Sequence, residues 1–180
     1  MTFDLPTTVE IDGKEYAIDA DYRTIITICV ALTDPDLDTQ EKWYVALKLF
    51  YEDFDSITDL QEAAEKLSWF INAGEETEAG PRLMDWEQDF QHIVAPVNRI
   101  VGTDVRGLPF LHWWTFLSAY MEIGDCLFAQ IVRIRDAQAR GKKLDKVERE
   151  WARRNANMIR LKQKYSGAED EAISAWVKGV

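Results

Sequence analysis

The chain has 180 residues, of which 47% are hydrophobic and 12% aromatic, the composition of a globular protein with material for one domain and a sizeable core. A net charge of −11 disfavours broad contact with nucleic-acid phosphates. Two cysteines, Cys29 and Cys126, each within an apolar run, make no disulfide framework and read as buried free thiols.

Thr8–Ile11 and Glu15–Ile18 alternate polar and apolar residues around Asp12-Gly13, a strong short hairpin signal. A lone two-stranded hairpin is marginal in water, so this one must pack on helices or be extended by another chain. Asp19 or Asp21 can cap a helix to about Leu32, with Ile25, Ile28, Cys29 and Leu32 on one face. Pro35 ends it. Asp38 with Glu41 predicts a capping box for a helix to about Glu52, and Ser56 or Thr58 opens another to about Ala73. Gly74–Pro81 (GEETEAGP) is the one stretch that reads as loop or hinge. Met84–Val101 predicts a helix kinked at Pro96.

Leu108–Ile123 (LPFLHWWTFLSAYMEI) carries apolar or aromatic residues on every side of a helix, the mark of a buried element. It is too short and too polar for a bilayer, which needs ~20 apolar residues, so a central core helix is expected and a membrane span is not. Cys126–Ala139 follows with Leu127, Ile131 and Ile134 as its stripe, then Leu144–Tyr165 as one long amphipathic helix, then a short helix within Glu169–Val177. The expected fold is mainly α: a helical bundle of about six to seven helices with a small N-terminal β-hairpin. Residues 1–73 form its N-terminal hairpin and helices, 74–81 the loop, and 82–180 the helical part with the aromatic helix, all within one integrated domain.

The charge is uneven along the chain. Residues 1–90 hold 22 Asp and Glu against 6 Lys and Arg, whereas residues 91–180 hold 10 against 15. Between Arg133 and Lys164 the basic residues outnumber the acidic by 12 to 4. Solvated helix faces explain most charges; the sharper reading is an acidic half and a basic half that meet a second copy or a partner head to tail. Seven tryptophans point to an interface as well as a core. The opening MTFDLPTTVEIDGK has neither the basic start nor the apolar stretch of a secretion signal, so a cytoplasmic location is expected.

Chemistry is sparse. Asp85, Asp89 and His92 share a helical face, but a di-metal bundle needs carboxylates from several helices and a second carboxylate-x-x-His pair, and the only other histidine, His112, has Leu108 three residues earlier. A wet acidic helix start explains Asp85 and Asp89 better than a metal does. His112 with Asp125 and Cys126 invites the reading of a thiol nucleophile, yet a core thiol and a hydrogen-bonded core histidine fit better. No Gly-rich phosphate loop, G-x-S-x-G elbow or Cys-x-x-Cys pair occurs. No catalytic residue, cofactor or metal is expected.

Two stretches bear a resemblance. LPTTVEIDGKEYAIDADYR, through Ile11, Gly13, Lys14, Tyr16, Ile18, Asp21 and Arg23, resembles the opening of tail assembly chaperones from siphophages and prophages of Gram-positive bacteria. So does the middle of the chain, through Asp85, Asp89, Gly102, Asp104, Leu111, His112, Trp113 and Trp114, with Leu-His-Trp-Trp the most specific part. Ile134 and Arg135 and the last long helix also fit, so the likeness spans roughly residues 5–165; Pro96 and the tail after Ser166 depart from it. The resemblance implies a non-enzymatic protein of the host bacterial cytoplasm that coats the helical tape measure protein, keeps it soluble while tail tube subunits polymerise around it, and is left out of the mature virion. Its partners would be the tape measure protein, further copies of itself and, second, the major tail protein. Arg133, Arg135, Trp151, Arg153, Arg154 and Arg160 are the candidate partner-binding residues; Gly13, Asp21, Arg23, Asp85, Asp89, Leu111, His112, Trp113 and Trp114 are read as structural. The alternative is a helical nucleic-acid-binding regulator using residues 133–164, which steeply salt-dependent binding to DNA or RNA would reveal.

Overall fold

Asp12 and Gly13 both take positive φ, +48° and +74°, as a two-residue type I′ hairpin turn requires. They join β1 (Thr8–Ile11) to β2 (Lys14–Ala17) in an antiparallel register that sets Val9 opposite Tyr16. The computed structural model describes residues 4–75 and 80–162; the short helix expected within 169–177, and Tyr165, lie outside them. Among the described residues the chain is mainly α, with eight helices and this hairpin.

The described residues fall into two compact units, one of residues 4–75 with 108–117, the other of 80–107 with 118–162. Residues 108–117 thus rejoin the first unit after the chain has entered the second.

In the first unit, α1 (Tyr22–Leu32), α2 (Thr39–Phe50) and α3 (Leu60–Ile71) follow the hairpin. Asp21 caps α1, and Asp38 with Glu41 closes a reciprocal capping box on α2. Asp59, rather than Ser56 or Thr58, caps α3. The hairpin packs on α3, where the Asp12 N–H donates to Glu62 at 2.8 Å. Strand-like pairing continues beyond it: Ile18 bridges to Tyr51, and Asp21 bridges to His112. The core gathers Ile25, Ile28, Phe50, Leu67, Phe70, Trp113 and Phe116, with Tyr22 stacked on Phe116 at 4.6 Å between ring centres.

The second unit holds α4 (Trp86–Val101), α6 (Leu127–Ala139), α7 (Lys146–Arg154) and α8 (Ala156–Ile159). Helix α4 continues through Pro96 and ends at Gly102, whose φ of +82° is the left-handed conformation glycine favours at a helix end. Ile93, Val97, Phe128, Ile131 and Ile134 are buried. Asp85 caps α4 and Asp145 caps α7, so five helix starts among the described residues take an aspartate from the acidic excess. No described helix is long and apolar enough to cross a membrane.

Three expectations are corrected. The aromatic helix α5 is Trp113–Met121 and not Leu108–Ile123. Residues 111–113 are drawn out to pair with 20–22, Tyr22 N–H donating to Leu111 at 2.9 Å and Trp113 N–H to Ala20 at 2.7 Å; as a result Phe110 is 52% exposed instead of buried. The long helix from Leu144 is broken at Asn155, whose Nδ2 and backbone N–H both donate to the Trp151 carbonyl, at 2.9 and 3.0 Å. Such a side chain competes with the helical ladder. Cys29 is a free thiol whose burial pushes its pKa up to about 12, as expected, whereas Cys126, also free, is the half-buried cap of α6, its Sγ accepting from Ala129 N–H at 3.4 Å.

Candidate functional site

The opening signature stretch and the Leu111–Trp114 part of the second meet in the first unit. Asp21 is the centre: its carboxylate accepts from Arg23 N–H (2.9 Å), from Arg23 Nε (2.7 Å) and Nη2 (2.8 Å), and from Leu111 N–H (3.2 Å). Arg23 then spans to the carbonyls of Leu108 and Pro109, both at 3.1 Å. His112 is buried beside them. Its Nδ1 accepts from Trp114 N–H at 3.0 Å and its Nε2–H donates to the Pro6 carbonyl at 2.9 Å, which settles a neutral tautomer. Trp113 and Trp114 donate their indole N–H groups to the Ile71 and Phe70 carbonyls, each at 2.9 Å. With both ring nitrogens held by backbone, His112 has no free nitrogen to serve as a base.

Burial pushes the Asp21 carboxyl up, but the hydrogen bonds from Arg23 and Leu111 together outweigh it and hold the group below its ordinary value. A depressed carboxylate contributes stability above its unfolded value, near pH 4, and loses it as pH falls through the folded one. The gap in urea midpoint between the native chain and Asp21→Asn is therefore expected to be full at pH 7 and to shrink below about pH 4. A gap that stays constant down to pH 2 would show that these hydrogen bonds do not favour the charged carboxylate.

Asp85 and Asp89 form a second polar cluster. They are not a wet helix start: Asp85 and Asp89 are buried, and so is Arg135 at 4% exposure. Arg135 grips Asp89 with two bonds, at 2.6 and 3.0 Å, and gives its remaining donors to the carbonyls of Leu83 (3.0 Å), Met158 (2.6 Å) and Ile159 (2.7 Å). Asp89 also accepts from Asp85 N–H at 2.9 Å, and Asp85 pairs with Arg82. Arg135 is thereby removed from the partner-facing set. Among the described residues no group of three or more His, Cys, Asp or Glu could hold a metal ion.

The other basic candidates stay outside. Arg153, Arg154 and Arg160 are exposed, and Trp151 is half-buried. Arg133, also exposed, is paired with Glu148 at 2.8 Å. The charge asymmetry follows the units. Described residues of the first hold 17 Asp and Glu against 5 Lys and Arg, a balance of −12; those of the second hold 10 against 14, a balance of +4.

A depression of about 400 Å³ opens on the first unit, lined in part by Ile18, Asp19, Leu49, Tyr51, Glu52 and Phe110. Sequence reasoning missed it because the lining comes from three distant stretches. One local signal was present: Pro109 restricts Leu108 to extended backbone and so argues against a helix through Phe110.

The sequence matches the family described as Bacteriophage Gp15 protein over residues 1–166. No curated protein and no solved structure matches the chain.

Proposed function

The chain belongs to the bacteriophage Gp15 protein family, and from that premise we propose that it is a non-enzymatic tail assembly chaperone. In this reading it binds the tape measure protein in the host cytoplasm and keeps it soluble while tail tube subunits polymerise around it. The reading is supported most by the character of α7, a basic helix standing on an otherwise acidic protein. Arg149, Arg153 and Arg154 are exposed on it, Val147 is 76% exposed, and the Val147 and Trp151 side chains share one face. A helical client displays apolar stripes with charges between them, and a surface mixing cations with uncovered apolar groups suits such a helix. The signature residues, by contrast, are spent on internal bonds, which suits a role in holding the fold.

Co-expression with the tape measure protein tests the reading through the soluble fraction of the client. The native chain is expected to raise it. Charge reversal at Arg153, Arg154 and Arg160 removes three surface attractions of about 0.5–1 kcal/mol each. Client binding should then weaken by roughly ten- to a hundredfold, with the circular dichroism unchanged. If the triple variant solubilises as well as the native chain, the basic helix is not the client's face. If the native chain leaves the client insoluble, the chaperone reading falls.

A further inference from the structure

We propose that the Leu49–Phe110 depression of the first unit is a docking site for a basic segment of another protein, one that carries a large apolar side chain between lysines or arginines. Its lining is built in advance. Asp19 N–H donates to the Phe50 carbonyl at 2.8 Å and Glu52 N–H to the Ala17 carbonyl at 3.2 Å, which stitches the strand after the hairpin to the end of α2. Ile18 and Tyr51, paired across that seam, are 5% and 2% exposed. The Tyr51 hydroxyl donates inward to the Ala63 carbonyl at 2.9 Å. Leu49 and Phe110, in the same lining, stay 38% and 52% exposed. An apolar surface already held in place loses little freedom when a partner covers it.

Charge selects the occupant. Asp19 and Glu52 also line the depression. Asp19 accepts from Asp21 N–H at 2.9 Å and from Thr24 Oγ1 at 2.8 Å, but neither it nor Glu52 takes part in an ion pair among the described residues. The neighbouring cations are spent elsewhere: Arg23 on Asp21, and Lys48 on both oxygens of Asp55, at 2.9 and 3.0 Å. The described residues of this unit balance at −12. A purely apolar partner would cover the two carboxylates without compensating them, and an acidic one would be repelled; cations beside an apolar anchor meet both demands. A volume of about 400 Å³ suits one large anchoring side chain and its flanks. The exposed rim would cover too little of a small molecule, which needs ~70–90% of its surface buried, so a protein segment is the better occupant. The inference concerns the first unit alone and does not rest on the chaperone reading.

Fluorescence anisotropy of short labelled peptides, titrated with the full-length chain, tests this. The probes carry a central Phe, Trp, Leu or Ile flanked on both sides by paired lysines or arginines. One control set replaces the anchor with serine, and the other replaces the cations with glutamate. The native chain is expected to bind at least one probe with a Kd on the order of 10 μM, more weakly as salt screens the charges. Both control sets should bind at least roughly tenfold more weakly. Phe110→Ala should also weaken the probe roughly tenfold, the loss of one anchoring contact, and Glu52→Lys several-fold, the reversal of one attraction. Both positions are exposed, so the urea midpoints should stay at the native value. The proposal is overturned if the native chain binds no probe more tightly than about 1 mM, if either control set binds as tightly as the probes, or if either variant binds them as the native chain does. A depression already filled by a second copy or by the rest of the chain would give the first of these results. None of these failures touches the chaperone reading, which is measured on the solubility of the client.

Discussion

Arg135→Ala is expected to cost about 3–5 kcal/mol of stability, because it leaves the Asp89 carboxylate buried without its partner. The side chain does more than neutralise a charge. Its donors also satisfy the carbonyls of Leu83, Met158 and Ile159, and the buried Ile159 acceptor left bare places the cost toward the upper end of that range. Arg135→Lys keeps the charge but cannot reproduce the planar fork, so it should recover only part of the loss. A matched apolar replacement of both Arg135 and Asp89 should be far milder than either single change, since no orphaned charge remains. Urea unfolding of the four proteins measures this. A cost below about 1 kcal/mol for Arg135→Ala would mean that water or a neighbour takes over the exposed partners.

Trp113→Ala is expected to cost about 3–5 kcal/mol, the range for removing a fully buried large aromatic. Trp113 is 1% exposed and stacked against Phe116 at 5.8 Å between ring centres. Trp113→Phe keeps most of the volume but strands the Ile71 carbonyl that the indole satisfies at 2.9 Å, for a smaller cost of about 1–3 kcal/mol. Phe110→Ala, three residues earlier, should stay within about 0.5 kcal/mol because its ring faces solvent. The contrast separates the two accounts of this stretch. A helix buried all round from Leu108 would make both alanine variants severe, whereas the pairing of residues 111–113 with 20–22 makes only Trp113 so. Thermal or urea midpoints of the three variants decide between them.

Where a feature depends on near neighbours, it is legible in the sequence. Asp12-Gly13 specifies its turn because few residue pairs tolerate two positive φ angles in succession. Asp38 and Glu41 are three residues apart and satisfy each other's backbone. The Leu127, Ile131 and Ile134 stripe needs only helical geometry. Cys126 is a partial failure of the same kind: its apolar surroundings suggested a core thiol, but its position at a helix start made it a cap.

Long-range polar pairing was out of reach. Asp21 and Leu111 are 90 residues apart, and Asp89 and Arg135 are 46 apart. Each residue has a local sense of its own, as part of a motif or as a surface charge, and nothing in either stretch names its partner. A buried ion pair is invisible to composition because the same two residues, left apart, would be ordinary solvated charges. The break at Asn155 was hidden for a related reason: an asparagine inside an amphipathic pattern can face water or turn back on the backbone, and its surroundings choose.

Local geometry, counting and pattern are enough for a mainly α protein with an N-terminal hairpin, for most helix starts and for the charge gradient. The packing of distant stretches starts the aromatic helix at Trp113, makes Arg135 internal while Arg153 and Arg154 are not, and joins Phe110 to Leu49 in an open depression. Those outcomes turn on which buried polar groups find partners and which apolar groups find cover, and both are settled between stretches far apart in the chain.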